Sequence, residues 1–311
     1  MQQNSLKANI INCKYLCGDE LSMSRSKLEK GWFSEKCDMW KGISLSLEIK
    51  KVLYEKKSKY QEIGLYQTKE FGKMLVLDGI IQLTQADEFA YHEMLAHLPL
   101  FAHPSPENML VIGGGDGGLL REVARHDCVK YIDICEIDKD VIKVSKKFLP
   151  DIASGFDDKR VKVNILDANV FIKKMKKKYD IIIVDSSDPI GPGSVLFRYE
   201  FYKDLKAALK KNGIIATQGE SFFLHENIVA DLIKITRKLF YRQAYAQIFT
   251  PTYPGGNICV CMGSLGPKLT KPARKISKKM QKQLKYYSPK IHKSSFVLPF
   301  FAQKISDSVK V

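Results

Sequence analysis

From Met109 onward, short runs of consecutive apolar residues alternate with stretches in which apolar residues recur at helical spacing. The runs MLVIGG, YIDICEID, VKVNILDA, YDIIIVDSS and GIIATQGE predict strands. Such unbroken apolar runs mark strands buried on both faces of a parallel sheet. Between them GLLREVARH, KDVIKVSKKFL, ANVFIKKMKK, EFYKDLKAALKK and HENIVADLIKITRKLF predict helices. Strand alternating with helix implies a doubly wound α/β sheet, and right-handed crossovers place its ligand crevice at the carboxyl ends of the strands. YRQAYAQIFTPTYPGGNICVCMG adds two strands joined by a turn.

Upstream the period changes. Leu45 to Thr84 is dense in β-formers and broken by the turn signals KEFGK and LDG, which predicts a small antiparallel β domain. In ADEFAYHEMLAHLPLFAH, Phe89, Met94, Leu95 and Leu98 can share one face of a helix. The expected division is an N-terminal extension over 1–30, the β domain over 31–95 and the α/β domain over 96–311. The extension mixes Lys, Asp, Glu and Ser without an apolar core, so it reads as flexible and not as a secretory signal.

Composition adds little to this picture. The chain has 311 residues, 45% hydrophobic and 27% charged, as in ordinary soluble proteins. No apolar run is long enough to span a membrane. The seven cysteines include no C-x-x-C pair, so reduced thiols in a cytoplasmic protein are expected, without a metal site. A net charge of +16 raises nucleic acid as a partner. The excess, however, sits in KKMKKKY and PKLTKPARKISKKMQKQLKYY, which read as solvated surfaces, whereas the strand ends are acidic.

Those strand ends carry the candidate chemistry. VIGGGDGGLLREV places Gly113, Gly115 and Gly118 as G-x-G-x-x-G ahead of a helix, which lets an adenosine ligand approach the backbone. Glu136 ends the second strand, where an acid accepts from ribose hydroxyls. Asp116 lies where a dinucleotide would put its pyrophosphate. Two like charges there repel by roughly 4 kcal/mol at an effective dielectric of ~20. The loop therefore suits an adenosine ligand with a cationic tail, and decarboxylated S-adenosylmethionine better than S-adenosylmethionine, whose tail bears a carboxylate. Asp167, at the end of the third strand, either accepts from an adenine amino group or caps the following helix.

Asp185 and Asp188 end the fourth strand in DSSDP. With an aminopropyl sulfonium beside them, one can deprotonate an attacking amine and the other can anchor a distant ammonium. Tyr91 in DEFAYHE and Tyr253 in TPTYPGG either serve that amine or are structural.

These residues closely resemble the spermidine synthases, the putrescine aminopropyltransferases. The shared pieces are SKYQ, VLDGIIQLTQADEFAYHEM, VIGGGDGGLLREV, CEIDKDVI, DSSDPIGP, TQGES, PTYPGG and LKYY…IHKSSFVLP. The resemblance implies a Rossmann-like, methyltransferase-type sheet below the N-terminal β domain, and a homodimer. It implies that Gln61, His92, Gly113, Gly115, Asp116, Glu136, Asp167, Ala168 and Asp185 meet decarboxylated S-adenosylmethionine, a co-substrate, with no resident cofactor. Asp185 would be the base and Tyr91 would orient the amine. Trp40, Tyr91, Asp185, Asp188, Gln218 and Tyr253 would line the putrescine side. The chain departs from the family pattern in WKGIS after Trp40, in GPGSVLF within the loop that covers the substrates, and in LDANVF.

Within the class the alternatives are spermine synthase and putrescine N-methyltransferase. Outside it they are a polyamine sensor and a nucleic-acid binder, against which the complete catalytic set and the acidic cleft respectively stand.

Overall fold

The computed structural model describes residues 26–189 and 191–310. Six antiparallel strands form the N-terminal sheet in sequential order: β1 (Lys27–Glu29), β2 (Trp32–Glu35), β3 (Leu45–Lys57), β4 (Glu62–Thr68), β5 (Lys73–Leu77) and β6 (Ile80–Thr84). The β5–β6 turn runs through Asp78 and Gly79 at φ 48° and 77°, both in the left-handed region that a two-residue hairpin requires.

This sheet begins earlier than expected. β1 and β2 are joined by a turn at Lys30 (φ 49°) and Gly31 (φ 81°), so residues 27–30 belong to the sheet and not to the extension. Lys-Leu-Glu has no alternation because all three residues are exposed at a sheet edge. The remaining part of the extension, with Cys13 and Cys17, lies outside the described residues.

Helix α1 (Glu88–Ala102) follows. It is buried nearly all round rather than on one face, with Glu88, His92, Glu93 and His97 inside. Its apolar side packs on the central sheet through Met94, Leu95 and Leu98, so the expected boundary after residue 95 falls within a helix of the second body. The buried Glu93 is satisfied by the backbone N–H groups of Lys285, Tyr286 and Tyr287, which seats the C-terminal segment over α1.

The central sheet holds β7 (Asn108–Gly113), β8 (Tyr131–Glu136), β9 (Val161–Ile165), β10 (Tyr179–Asp185), β11 (Leu209–Gln218), β12 (Arg242–Phe249) and β13 (Asn257–Ser264). Their order is β12-β13-β11-β10-β7-β8-β9, parallel from β11 to β9 and antiparallel at β12 and β13. Crossovers carry α2 (Gly118–Ala124), α3 (Lys139–Phe148), α4 (Pro150–Ala153), α5 (Ala168–Lys173), α6 (Tyr199–Ala208) and α7 (Glu226–Leu239), and three short helices end the chain.

β10 shows why its sequence is apolar throughout. Ile181 and Ile183 join the cluster under α1 and α2, while Ile182 and Val184 join the one under α5, α6 and α7. α3, α4 and Leu149 between them set Val141, Val144, Leu149 and Ile152 against Ile63, Leu65, Leu75 and Leu83, tying the two sheets together. β7 and β10 are neighbours from which the crossovers run in opposite directions, so the crevice opens at their carboxyl ends.

Candidate active site

A cleft of about 250 Å³ lies at these strand ends, roofed by β5, β6 and the Trp40 segment of the N-terminal sheet. Of the residues singled out in the sequence, Trp40, Gln61, Tyr91, His92, Gly113, Gly115, Asp116, Glu136, Asp167, Ala168, Asp185, Asp188, Gln218 and Tyr253 line it, and Gly118 of the glycine fingerprint does not.

The glycine loop is built around Asp185. Gly113 sits opposite Asp185 in the β7–β10 register, and Gly114 N–H donates to Asp185 O at 3.1 Å. A Cβ on Gly113 would lie 2.0 Å from that same carbonyl, and its φ is +77°. The left-handed glycines are Gly113, Gly114 and Gly117, not the Gly113, Gly115 and Gly118 of the fingerprint. Gly115 and Gly118 serve close approach instead, to the Glu136 carboxylate at 3.0 Å and to the His92 ring at 2.3 Å from an added Cβ.

The carboxylates fall into three sets. At one end, Glu136 accepts from Asp138 N–H at 2.8 Å, and burial, followed by the nearby Asp138 charge, pushes it up to about 7. Asp138 also accepts from Ser58 Oγ at 2.6 Å and Gln61 Nε2 at 3.0 Å, so Gln61 is oriented from the N-terminal sheet through an aspartate that the motif reading overlooked. Asp167 caps α5 by accepting from Asn169 N–H at 2.7 Å, and it also borders the cleft.

At the centre, Tyr91 Oη donates to Asp185 Oδ1 at 2.6 Å. Burial and then the Asp116 charge raise Asp185 to about 6, against the pull of His92 and the Tyr91 hydrogen bond. Asp116 goes the other way. Burial pushes it up, but His92 at 3.2 Å and the Gly118 N–H at 2.7 Å outweigh burial and hold it below the usual range. His92 is itself raised to about 10, because Asp116 and Glu88 overcome its burial. Glu88 lies 2.6 Å from His92 Nδ1 and receives both guanidinium NH groups of Arg121 at 3.0 and 2.8 Å. His92, Asp116 and Asp185 offer ligand atoms within 4.8 Å of one another.

The far end holds Asp188, raised to about 7 by burial and then by Glu220, with His225 opposing. Gln218 Nε2 bridges Asp188 Oδ1 (3.3 Å) and Glu220 Oε1 (3.1 Å). His225 Nδ1 is 2.7 Å from Glu220 Oε2, and the ring stands 6.0 Å from that of Trp40. Glu35 of β2 takes the Ile81 N–H at 2.6 Å and is pushed up to about 8 by burial, with Asp188 adding to the rise. Tyr253 donates to Gln82 O at 2.7 Å and meets Tyr91 edge-on at 5.7 Å, its loop pinned where Asp87 accepts from Thr252. The GPGSVLF departure has a local reason, since a Cβ at Gly193 would lie 2.7 Å from Asp188 O.

Glu35, Glu88, Arg121, Asp138, Glu220 and His225 escaped the sequence reading. Glu220 lay within the quoted TQGES. Its φ of 60° is a left-handed conformation outside glycine, which no motif signals.

Known proteins agree with this architecture. A family model described as the spermine/spermidine synthase domain matches residues 88–272, and one described as the spermidine synthase tetramerisation domain matches 31–85. A spermidine synthase of Dictyostelium discoideum is 48% identical over 89% of this chain and 98% of its own length. The Schizosaccharomyces pombe spermidine synthase is 44% identical over 92% and 97%. A crystal structure of spermidine synthase in complex with the transition-state analogue AdoDATO superposes with a TM-score of 0.83 at 34% identity, covering 94% of this chain and 99% of that one. The Thermotoga maritima spermidine synthase does so at 0.81, with the same identity and coverage. On sequence, fold and cleft together, the chain belongs to the spermidine synthase family of aminopropyltransferases.

Proposed function

We propose that this chain transfers the aminopropyl group of decarboxylated S-adenosylmethionine to putrescine. An amine lone pair attacks the methylene next to sulfur. The C–S bond breaks with its electrons going to sulfur, which leaves as the neutral thioether 5′-methylthioadenosine. The proton of the new N–C centre passes to Asp185, and spermidine is the product.

The observation that carries this reading is the setting of Asp185: opposite Gly113, hydrogen-bonded to Tyr91, and raised to about 6 by burial and then by the charge of Asp116 beside it. A base of that strength is charged at neutral pH yet can take a proton. A free alkylammonium titrates near ~10.4, as lysine does, so the half-buried cleft must also favour the neutral amine. Fixing both reactants supplies most of the acceleration.

In this reading Glu136 holds the ribose, and Asp167 with Ala168 meets the adenine. Gln61 and the loop from Gly113 to Gly115 frame the sulfonium nucleoside, and the His92–Asp116 pair receives its ammonium. Trp40 and Tyr253 flank the diamine methylenes, and Asp188 with Gln218 anchors the far ammonium. No resident cofactor or metal takes part, and neither nucleic acid nor membrane is a partner. We further read the chain as a homodimer; the tetramerisation-domain match over 31–85 supports self-association as such. The five described cysteines are free, which supports a cytoplasmic location.

Mass analysis of products from decarboxylated S-adenosylmethionine with putrescine, then with spermidine, tests the reading. Spermidine from the first reaction is the expected result. Product from spermidine alone would assign a spermine synthase, and methylputrescine from S-adenosylmethionine would assign an N-methyltransferase.

A further inference from the structure

The acceptor end of the cleft holds more acid than a diamine needs. Asp188 and Glu220 line it, and Glu35 stands close enough to Asp188 to feel its charge. A single imidazole, that of His225, lies in their midst, 2.7 Å from Glu220 Oε2. His225 Nε2 has no hydrogen-bond partner, and Gln218 Oε1, Glu35 Oε1 and Trp40 Nε1 at the same end are also unpartnered. Buried polar atoms left open in this way call for a specific explanation. Glu220 is also held at φ 60°. A strained backbone of this kind persists where the surrounding structure enforces it, often at ligand-holding positions.

Building on the acceptor-site reading above, we propose that His225 is a specificity-determining residue. As a resident cation on Glu220 it leaves the pocket one free carboxylate, Asp188, which matches the single distant ammonium of a diamine and excludes a triamine. A triamine reacting through one end brings two further ammoniums. Glu220 is already matched to His225, and Glu35, pushed up to about 8 by burial, is held on the Ile81 N–H outside the residues that line the cleft. The second ammonium therefore enters a buried site without a counter-charge, which is strongly unfavourable.

His225→Gln removes the resident charge and frees Glu220, whereas His225→Lys keeps a cation. The measurement is kcat/KM for putrescine and for spermidine near neutral pH, with saturating decarboxylated S-adenosylmethionine. The spermidine-to-putrescine ratio is expected to rise about tenfold in His225→Gln and to stay within about twofold of wild type in His225→Lys. An unchanged ratio in His225→Gln, or an equal rise in His225→Lys, overturns the proposal. Nitrogen NMR of His225 in the ligand-free wild type is independent of how the variants fold. A charged ring at neutral pH supports the proposal and a neutral ring refutes it. A wild type that makes no spermidine from putrescine refutes the function reading instead, so the two failures are distinguishable.

Discussion

Replacing Asp185 with asparagine should abolish turnover and at the same time stabilise the ligand-free protein. The side chain keeps its shape and still accepts from Tyr91 Oη, now 2.6 Å from a carboxylate oxygen, so the β7–β10 junction has no reason to shift. What changes is charge. Burial and Asp116 raise the carboxyl from 3.8 to about 6. At ~1.36 kcal/mol per pKa unit, ionised Asp185 destabilises the fold by about 3 kcal/mol. The sign follows from linkage. An acid whose folded pKa exceeds its unfolded one favours the fold while protonated, below 3.8, and loses that advantage as the pH rises through about 6.

The amide removes the penalty but weakens the Tyr91 hydrogen bond by roughly 1 kcal/mol, as a neutral acceptor replaces a charged one. A net gain of about 2 kcal/mol remains, which raises Tm by a few degrees in a protein of this size. Loss of the base should lower kcat by about 10²–10⁴-fold. The assay pairs steady-state turnover with thermal unfolding of the ligand-free protein across the acidic and neutral range. The Tm advantage should vanish at low pH, where wild-type Asp185 is also neutral. A variant that keeps most of its kcat, or that unfolds at a lower temperature than wild type at neutral pH, refutes the reasoning.

Three further outcomes follow from the same geometry. The cation at His92, raised to about 10, lends stability that is complete below 6.5 and lost as the pH climbs through about 10, so alkaline melting should fall more steeply in wild type than in His92→Gln. Calorimetry should find decarboxylated S-adenosylmethionine bound more tightly than S-adenosylmethionine, and Asp116→Asn should shrink the gap; equal affinities in wild type would contradict the role given to Asp116. Asp188→Ala should raise the putrescine KM strongly while narrowing the kcat/KM difference between putrescine and butylamine, and a wild type that uses butylamine as well as putrescine would leave Asp188 without an anchoring role.

What was readable in the sequence, and what was not, follows from how each residue reaches the cleft. Asp116, Glu136, Asp167 and Asp185 sit where apolar runs end, and a parallel sheet gathers all such ends at one edge, so local pattern was enough to bring them together. Tyr91 and His92 lie on one helix whose position the sheet dictates. Glu35 arrives from β2 of the other sheet, which pairs with the three exposed residues of β1 that carry no alternation, and long-range packing of α3 and α4 against that sheet helps to set it over the cleft. Glu220 and His225 depend on a left-handed turn that no glycine announces. The same division separates the two halves of the chemistry. The group proposed to take the proton belongs to the strand-end set and is visible as a motif. The groups proposed to weigh one amine against another are a balance of three acids and an imidazole, brought from β2, from beyond the end of β10 and from the segment between β11 and α7. Charge balance among groups that meet only in the folded state leaves no local pattern, so acceptor preference has to be read from the assembled cleft.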